Sequence, residues 1–547
     1  MGRRVLLLGL FGLLGLVGVL GMVSGSTAGT PPAVGWEHAV EVPGTAALNS
    51  GGNAAVFSVS CAAARHCTAG GFYKDGSAHT QAYVVSEASG RWGHAVEVPG
   101  TAALNSGGTA VVESVSCRAA GSCAAGGYYK DGSGNRQAFV VGETNGSWGT
   151  AVEVPGTAAL NSGGSAGVDS VSCAAAGACT AGGHYSDGAN YQAFVASETN
   201  GSWGTAVEVP GTSTLNTGGF AQVNSVSCAA AGNCAAGGFY SDSSDFAQAF
   251  VASETNGSWG TAVEVPGTAA LNSSGFAQVN SVSCAAAGNC AAGGFYSDGS
   301  GRQTFVASEK NGSWGAAVEV PGIAALNSGG FANLYSVSCG AAGACAAGGI
   351  YTDGSAHIQA WVVSDKHGHW GGAVKVPGTA ALNKGGSAGL KSVSCAAAGA
   401  CAAGGSYKDG SGHIQAFVLN ETKGRWGKAI EIPGSAALNS GGAAGVNSIS
   451  CAAAGTCVAG GGYKDGSANQ QAFVVSFTAP CVVPRVVGKP LSAAKRMLKA
   501  AHCGVGKTTR AYSKLKTGRV VAEKPKAGKI LKSGAKVALT VSEGKKT

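Results

Sequence analysis

Pairs of cysteines separated by five residues recur through this chain and are its most chemically suggestive feature. One pair, Cys284 and Cys290, lies in the stretch SVSCAAAGNCAAGGFYSDG, and closely similar stretches occur eight times. Zinc sites usually space local ligands by two to four residues and need four of them, whereas each unit here offers two. Redox pairs are typically Cys-x-x-Cys. The spacing therefore favours structural disulfides, predicted as Cys61–Cys67, Cys117–Cys123, Cys173–Cys179, Cys228–Cys234, Cys284–Cys290, Cys339–Cys345, Cys395–Cys401 and Cys451–Cys457.

Disulfides persist outside the cytoplasm, and the N-terminus predicts export. Arg3 and Arg4 precede an apolar run over residues 5–23, which is followed by small residues suited to signal peptidase. The run is also long enough to span a bilayer. Residues 1–28 are therefore interpreted as a cleaved signal peptide or a retained membrane anchor, and residues 29–35 as a linker. Either outcome places the remainder outside the cytoplasm, secreted and wall-associated or anchored at the membrane.

A repeat of 55 or 56 residues dictates the architecture of residues 36–478. Eight units are marked by tryptophans at Trp36, Trp92, Trp148, Trp203, Trp259, Trp314, Trp370 and Trp426. Each unit contains four strand-like runs, of the types SVSC, CAAGGFY, QAFVASE and WGTAVEVPG. Asp-Gly pairs follow the second run and Asn-Gly pairs follow the third, as tight hairpins require. The third run carries an aromatic residue at Tyr83, Phe139, Phe194, Phe250, Phe305, Trp361, Phe417 and Phe473.

Four antiparallel strands in each of eight units predict an eight-bladed β-propeller. The array begins at Trp36 with a fourth strand and ends at residues 471–476 with a third strand. Pairing these two ends would complete the eighth blade and remove two open sheet edges. The predicted fold class is therefore mainly β, a propeller closed by an N-terminal strand. An open row of small sheets is the alternative.

One position in each repeat varies far more than its neighbours, four residues before the first cysteine. It mixes charged, amide and aromatic side chains, so it is a candidate ligand surface if the first run lines the ring centre. The alternative without a function is that this position varies because it lies at the surface near a loop. The candidates are Phe57, Glu113, Asp169, Asn224, Asn280, Tyr335, Lys391 and Asn447. No catalytic residue, metal site or cofactor is predicted from this pattern.

The C-terminal residues 481–547 have a different composition. They contain 17 Lys or Arg and 2 Asp or Glu, so they carry a charge of about +15, whereas residues 24–480 are mildly acidic. The segment LSAAKRMLKAAHC has apolar residues at helical spacing, with Ser492 as a candidate cap. GRVVAEKP and AKVALTVSE have the character of strands, and KAGKILKSG is a turn-rich link between them.

The order of features from VPRVVGKPLSAAKRMLKAAHCGVGK to GRVVAEKPKAGKILKSGAKVALTVSEG resembles a PASTA domain, over residues 483–544. This module occurs on penicillin-binding proteins and on bacterial Ser/Thr kinases. The resemblance implies a non-catalytic small α+β domain associated with peptidoglycan. Cys481 and Cys503, an addition to the usual family pattern, are expected to pair. The preceding repeats resemble cysteine-paired repeats of exported actinobacterial proteins, which implies no function.

The sequence thus predicts an exported, non-catalytic bacterial envelope protein. Residues 481–547 would bind peptidoglycan or anionic wall polymers, and the propeller would present a surface to an unknown protein or glycan, with no specific nucleic-acid partner. One alternative is an enzyme acting on polysaccharides, a hydrolase or lyase. It would need paired carboxylates, for which Glu113 and Asp169 are the candidates on adjacent repeats. A purely structural wall protein is the other alternative.

Overall fold

The computed structural model describes residues 35–546. The predicted signal or anchor at residues 1–28 lies outside the described residues, as does the linker up to residue 34. In the part that is described, no helix is long and apolar enough to cross a membrane. The chain is mainly β: eight repeated antiparallel sheets are followed by a small domain with one helix.

Each sheet is built on three long antiparallel strands, and all three are longer than the sequence runs suggested. The first strands are Ala54–Ala63, Ala110–Ala119, Gly167–Ala175, Ala221–Ala230, Gln278–Ala286, Ala332–Ala341, Ala388–Ala397 and Ala444–Ala453. The second strands are His66–Lys74, Ser122–Lys130, Ala178–Ser186, Asn233–Ser241, Asn289–Asp298, Ala344–Thr352, Ala400–Lys408 and Thr456–Lys464. The third strands are Thr80–Ala88, Arg136–Thr144, Tyr191–Thr199, Ala247–Thr255, Gly301–Lys310, Ile358–Lys366, Ile414–Thr422 and Gln470–Thr478.

The fourth strand is not continuous, contrary to the sequence prediction. It consists of two short pieces that both pair with the third strand. Between them, the N–H of Ala95 donates to the carbonyl of Pro43 in the preceding connection at 2.7 Å, so the chain leaves its own sheet. The outer pieces are Gly35–Trp36, Arg91–Trp92, Ser147–Trp148, Ser202–Trp203, Ser258–Trp259, Ser313–Trp314, His369–Trp370 and Arg425–Trp426. The inner pieces are Val40–Glu41, Val96–Glu97, Val152–Glu153, Val207–Glu208, Val263–Glu264, Val318–Glu319, Val374–Lys375 and Ile430–Glu431.

The connection between units contains a helical turn that the sequence analysis did not predict. Its chain direction is set by a glycine in the left-handed region, such as Gly44 with φ 88°, a conformation that glycine adopts at least cost. The turns are Thr45–Leu48, Thr101–Leu104, Thr157–Leu160, Thr212–Leu215, Thr268–Leu271, Ile323–Leu326, Thr379–Leu382 and Ser435–Leu438.

The predicted hairpin turns are half confirmed. Asn145 and Gly146 both have positive φ, at 53° and 79°, as a tight two-residue turn requires. In the Asp131-Gly132 loop of the second sheet the positive φ lies further along, at Gly134. There Asp131 instead accepts the N–H groups of Ser133 and Asn135, each at 2.9 Å, and organises the loop through its side chain.

The core lies between neighbouring sheets. The aromatic residue of each third strand is fully buried, as the sequence pattern indicated. The Ala-Gly-Gly segment of the second strand leaves room for the next sheet: a Cβ at Gly70 would lie 2.7 Å from methyl groups of Val112 and Val115. Close packing of this kind makes each sheet dependent on its neighbour.

The serines of the SVSC motif join consecutive sheets. Ser58 and Ser60 Oγ accept the N–H groups of Val115 and Cys117 in the next sheet, at 3.0 and 2.9 Å. The same two bonds recur at each following junction. They also join the eighth sheet to the first, where Ser448 accepts the N–H of Val59 at 3.0 Å.

The two ends of the repeat array meet in the eighth sheet. Trp36 pairs with Phe477, and Val40 pairs with Val474, so the N-terminal pieces complete the sheet that contains Gln470–Thr478. Trp36 is 3% exposed and its ring lies 5.2 Å from that of Phe477. The predicted pairing of the N-terminal strand with the last repeat is confirmed.

The C-terminal domain has the predicted helix and two predicted strands, at Leu491–Ala500, Val520–Lys524 and Lys536–Ser542. Ser492 does not cap the helix, because the helix begins one residue earlier, after Pro490. A further strand, Gly504–Ala511, pairs in parallel with Lys536–Ser542 and was not predicted. The turn-rich link contributes Ile530–Leu531, which pairs with Cys481–Val482.

Candidate functional site

Every cysteine of the chain is in a disulfide, and the nine pairs are those that the sequence predicted. Within each sheet the two cysteines lie directly opposite one another on the first and second strands. We call the end of the sheets that carries them the disulfide edge. Each of these disulfides cross-links the hairpin formed by the first and second strands of its sheet, so these cysteines carry no free thiol.

The disulfide edge also carries buried carboxyl groups near the ends of the third strands. Glu143 is 3% exposed and accepts a hydrogen bond from Ser86 Oγ of the preceding sheet at 2.9 Å. Burial raises its pKa, and burial together with the charge of Glu37 raises the pKa of Glu87 to about 6, against the opposing effect of Arg65. The arrangement recurs from sheet to sheet, which is typical of a structural role.

The eight candidate ligand residues share one structural feature: each is the extra residue of a β-bulge in a first strand. The ladder skips from Val56 to Ser58, so Phe57 has no partner on the second strand, and the same shift occurs at the corresponding position in every sheet. A bulge redirects a side chain out of the regular pleat. The bulges lie toward the end of the sheets opposite the disulfides.

We call that end the variable edge. It comprises the bulge position and four neighbouring strand positions, represented in the first sheet by Asn53, Ala55, Phe72 and Thr80. Side chains at these five positions differ between sheets, whereas the residues that pack and hydrogen-bond between sheets are nearly constant. The structure therefore gathers these five variable positions on one edge of the molecule.

Three of the candidate residues are structural. Asn224, Asn280 and Asn447 donate through Nδ2 to backbone carbonyls of the following sheet, Asn224 and Asn447 at 2.8 Å and Asn280 at 2.6 Å. These bonds supplement the serine bonds between sheets, so the three amides do not form a ligand site. Phe57 packs edge-on against Phe72 at 5.0 Å.

Lys391 and Tyr335 form a pair on neighbouring sheets, since the Lys391 ammonium lies 4.6 Å from the centre of the Tyr335 ring. A cation in this position is attracted by the ring face. Lys391 itself remains exposed. The pair thus keeps a positive charge at the variable edge.

Glu113 and Asp169 do come together, in a polar cluster between the second and third sheets. Asp169 Oδ2 accepts a hydrogen bond from Nδ1 of His184, 2.8 Å away, and His184 is 6% exposed. Burial and the neighbouring Asp169 charge raise the pKa of Glu113, while the charge of Arg136 opposes the shift. Two carboxyl groups, an imidazole and a guanidinium are therefore close enough to influence one another.

Aromatic rings continue the variable edge from this cluster across the third to sixth sheets. Tyr191 stacks on Phe220 at 4.8 Å with 29° between the planes, and Phe220 stacks on Phe239 at 5.4 Å and 13°. Phe276 stacks on Phe295 at 5.6 Å and 19°. The rings form flat platforms, and Phe276 remains 44% exposed.

An arginine lies among the rings of the fifth and sixth sheets. The guanidinium carbon of Arg302 is 3.9 Å from the centre of Phe295, 4.9 Å from Phe331 and 5.5 Å from Phe276. Burial lowers the pKa of Arg302. Arg136, at the same position of the second sheet, lies 3.6 Å above the ring of Tyr128.

Most residues of the variable edge are not predicted from the sequence. His184, Arg136 and Arg302 lie on second and third strands, whereas only the first-strand position was compared between repeats. The signal was available in the same alignment of repeats: position 184 is Phe, Tyr, Ile, Ser or Gly in the other sheets, and position 302 is equally variable. The sequence does not reveal that these second-strand and third-strand positions lie at the same edge of the sheets as the bulge position.

Comparison with known proteins identifies the C-terminal domain. Residues 482–543 match the family model of the PASTA domain. These residues include the helix and three-stranded sheet described above, so the resemblance noted in the sequence is confirmed for this part of the chain. A search of curated proteins gives no match.

Solved structures give only weak matches. Sqt1 from Chaetomium thermophilum is 11% identical, with a TM-score of 0.41, and the match covers 80% of this chain and 97% of that one. An ulvan lyase of polysaccharide lyase family PL25 is 10% identical, with a TM-score of 0.37 and coverages of 74% and 96%. The Hadza microbial sialidase Hz136 is 9% identical, with a TM-score of 0.33 and coverages of 81% and 68%. Similarities at this level do not bear on what this chain does.

Proposed function

We propose that this protein is an extracytoplasmic, non-catalytic binding protein of the bacterial cell envelope. Its PASTA domain associates with peptidoglycan or anionic wall polymers. The eight sheets form a closed eight-bladed β-propeller that presents the variable edge to a partner. The cyclic order of the serine hydrogen bonds, which return from the eighth sheet to the first, supports closure. The disulfides support a location outside the cytoplasm.

The observation that carries this function is the PASTA domain itself, with its charge. PASTA domains are associated with wall-related ligands, and residues 482–543 match the family model. Residues 481–547 carry about +15, and most of their lysines and arginines are exposed. Exposed cationic groups attract anionic polymers over roughly a Debye length, about 8 Å at physiological ionic strength. Wall association therefore has both a domain-specific and an electrostatic basis.

Co-sedimentation with purified cell walls across a salt series tests the proposal. The secreted chain (residues 29–547) is compared with the same chain ending at residue 480. We expect the longer chain to pellet with walls and the shorter one to remain largely in solution. Binding that survives high salt would identify recognition by the PASTA fold, because exposed charge attraction is screened. Equal pelleting of both chains would contradict the role given to the PASTA domain.

A second candidate function is acid–base catalysis on a polysaccharide, and the cluster around Asp169 favours it. The Asp169–His184 hydrogen bond and the raised pKa of Glu113 resemble the differentiated titratable groups of hydrolytic and eliminative sites. The test is incubation of the protein with wall polysaccharides and uronate polymers, followed by measurement of chain length and new reducing ends. Cleavage by the parent protein that Asp169→Asn abolishes would establish this function in place of the non-catalytic one.

A further inference from the structure

Two arginines at the variable edge, Arg136 and Arg302, form no ion pair within the described residues. The side-chain ion pairs within residues 35–546 all join a histidine to an aspartate. Arg302 is held by aromatic rings, and its guanidinium has no hydrogen-bond acceptor in the described part of the chain. The buried Nε of Arg136 is likewise without a partner there. A guanidinium carries five N–H donors, so both arginines have donors available to an external acceptor.

The surroundings of these arginines are flat. Tyr191 and Phe220 form a half-buried stacked pair, and Phe276 stacks on the buried Phe295. Phe276 and Phe331 are 44% and 39% exposed, so their rings are open to a ligand. Ring faces carry negative charge density and attract the slightly positive C–H bonds of a ligand laid on them. A pyranose ring offers such a face of C–H bonds. Apolar side chains of a protein partner would instead be expected to enter pockets.

The charge pattern of the edge distinguishes between acidic ligands. At one end, Arg302 and the Lys391–Tyr335 pair supply cations. At the other end, Glu113 and Asp169 accompany Arg136. These carboxylates would repel the carboxylates of any acidic ligand, but they accept hydrogen bonds from hydroxyl groups, which a sugar chain offers and an acidic peptide does not. A ligand that carries carboxylates and many hydroxyls therefore complements both ends of the edge.

We propose that the variable edge of the second to seventh sheets binds an acidic polysaccharide whose pyranose residues carry carboxylates, with Arg302 pairing with a carboxylate and the aromatic platforms stacking on sugar rings. Arg136 provides a second cationic contact, and Asp169 and Glu113 accept bonds from sugar hydroxyls. This inference deepens the proposed function, since it gives the propeller a ligand class. It does not depend on wall binding by the PASTA domain.

The test uses the full secreted chain and oligogalacturonate of defined length, with binding measured by titration calorimetry at physiological salt. The PASTA domain contributes equally in all variants, so the comparison between variants isolates the variable edge. The matched control is Arg91→Ala, which removes one exposed arginine at the disulfide edge. We expect Arg302→Ala to weaken binding about tenfold or more, as expected for loss of a hydrogen-bonded charge, while Arg91→Ala binds like the parent.

Two further variants separate geometry from charge. Arg302→Lys keeps the charge but cannot pair bidentately, so an intermediate affinity is expected. Phe276→Ala should weaken binding to the uronate oligomer without any change of charge. Thermal unfolding of each variant establishes whether it is folded. If Arg302→Ala does not fold, the affinity of Arg302→Lys is compared with that of the parent.

Three results would overturn the inference. The first is equal affinity of the Arg302→Ala and Arg91→Ala variants for the oligogalacturonate. The second is equally tight binding of a neutral malto-oligosaccharide. The third is equal binding of a poly-glutamate peptide with the same dependence on Arg302, which would identify an acidic peptide as the ligand class. Wall pelleting measures the PASTA domain separately. If the parent chain pellets with walls but does not bind the oligogalacturonate, this inference is refuted and wall association by the PASTA domain still stands.

Discussion

The two edges of the repeat region recur with the same backbone in every sheet, but they differ in whether the residues that make their contacts also recur. At the disulfide edge, Cys61, Cys67 and Ser60 have equivalents in every sheet and make the same contacts each time. At the variable edge, the position of Arg302 is occupied by Thr, Arg, Tyr, Ala, Ile or Gln in the other sheets. Positions that hold sheets together must repeat, because every junction has the same geometry. Positions free of that requirement are where a specific ligand site can arise.

The comparison predicts that disrupting the repeated contacts lowers stability far more than changing the variable edge. The largest effect is expected from deleting residues 35–44, which removes both N-terminal pieces of the eighth sheet. Deletion exposes the edge of Gln470–Thr478 and the surface covered by Trp36. Open edges promote association between chains. Light scattering and thermal unfolding should show aggregation and a lower Tm; an equally stable monomer would contradict a closed ring.

A smaller effect is expected from removing one pair of intersheet serines. Ser58→Ala with Ser60→Ala leaves the N–H groups of Val115 and Cys117 without acceptors, at a cost of about 1–3 kcal/mol each. The matched change at the variable edge is Asn447→Ala, which removes a single bond to a carbonyl. Denaturant unfolding should therefore rank the serine variant clearly below the asparagine variant. A reversed ranking would break the distinction between the two edges.

One disulfide should contribute less than the pair of serine bonds. Replacing Cys284 and Cys290 by serine opens a loop with a sequence separation of 6. The chain-entropy account gives a loss of roughly 2 kcal/mol, because short loops gain little from closure. Chemical denaturation under non-reducing conditions measures the loss. A native-like stability after removal of one disulfide would show that the serine bonds and the packing of sheets suffice.

The smallest expected effect is the pH dependence produced by the disulfide edge. Burial raises the pKa of the third-strand carboxyl groups, to about 6 for Glu87. An acid whose pKa is raised on folding binds its proton more tightly in the folded state. The folded state is therefore stabilised as pH falls from about 7 toward 4.5, and that stabilisation is lost as pH rises through about 6. Tm at pH 5 should exceed Tm at pH 7, and Glu87→Gln should reduce the difference.

The PASTA domain shows which structural elements a sequence pattern can predict. The apolar spacing from Leu491 to Ala501 placed the helix correctly, because helical periodicity is local. The candidate cap Ser492 lies inside the first turn instead, because the helix begins at Leu491 after Pro490. The strand Gly504–Ala511 is not predicted, because it has exposed polar residues and pairs in parallel with Lys536–Ser542, which is distant in the sequence.

The sequence by itself determined the repeat, the disulfide pairs, the buried aromatic residues and the pairing of the two ends. Each of these follows from spacing along the chain, and eight copies of a unit reinforce every inference. Only the tertiary structure showed that the serines join sheets, that the candidate residues are bulges, and that three of them are structural amides. It also showed that His184 hydrogen-bonds to Asp169 and that Arg136 and Arg302 each lie over aromatic rings. Most of these contacts join different strands, and many of them join different sheets, so no local pattern encodes them.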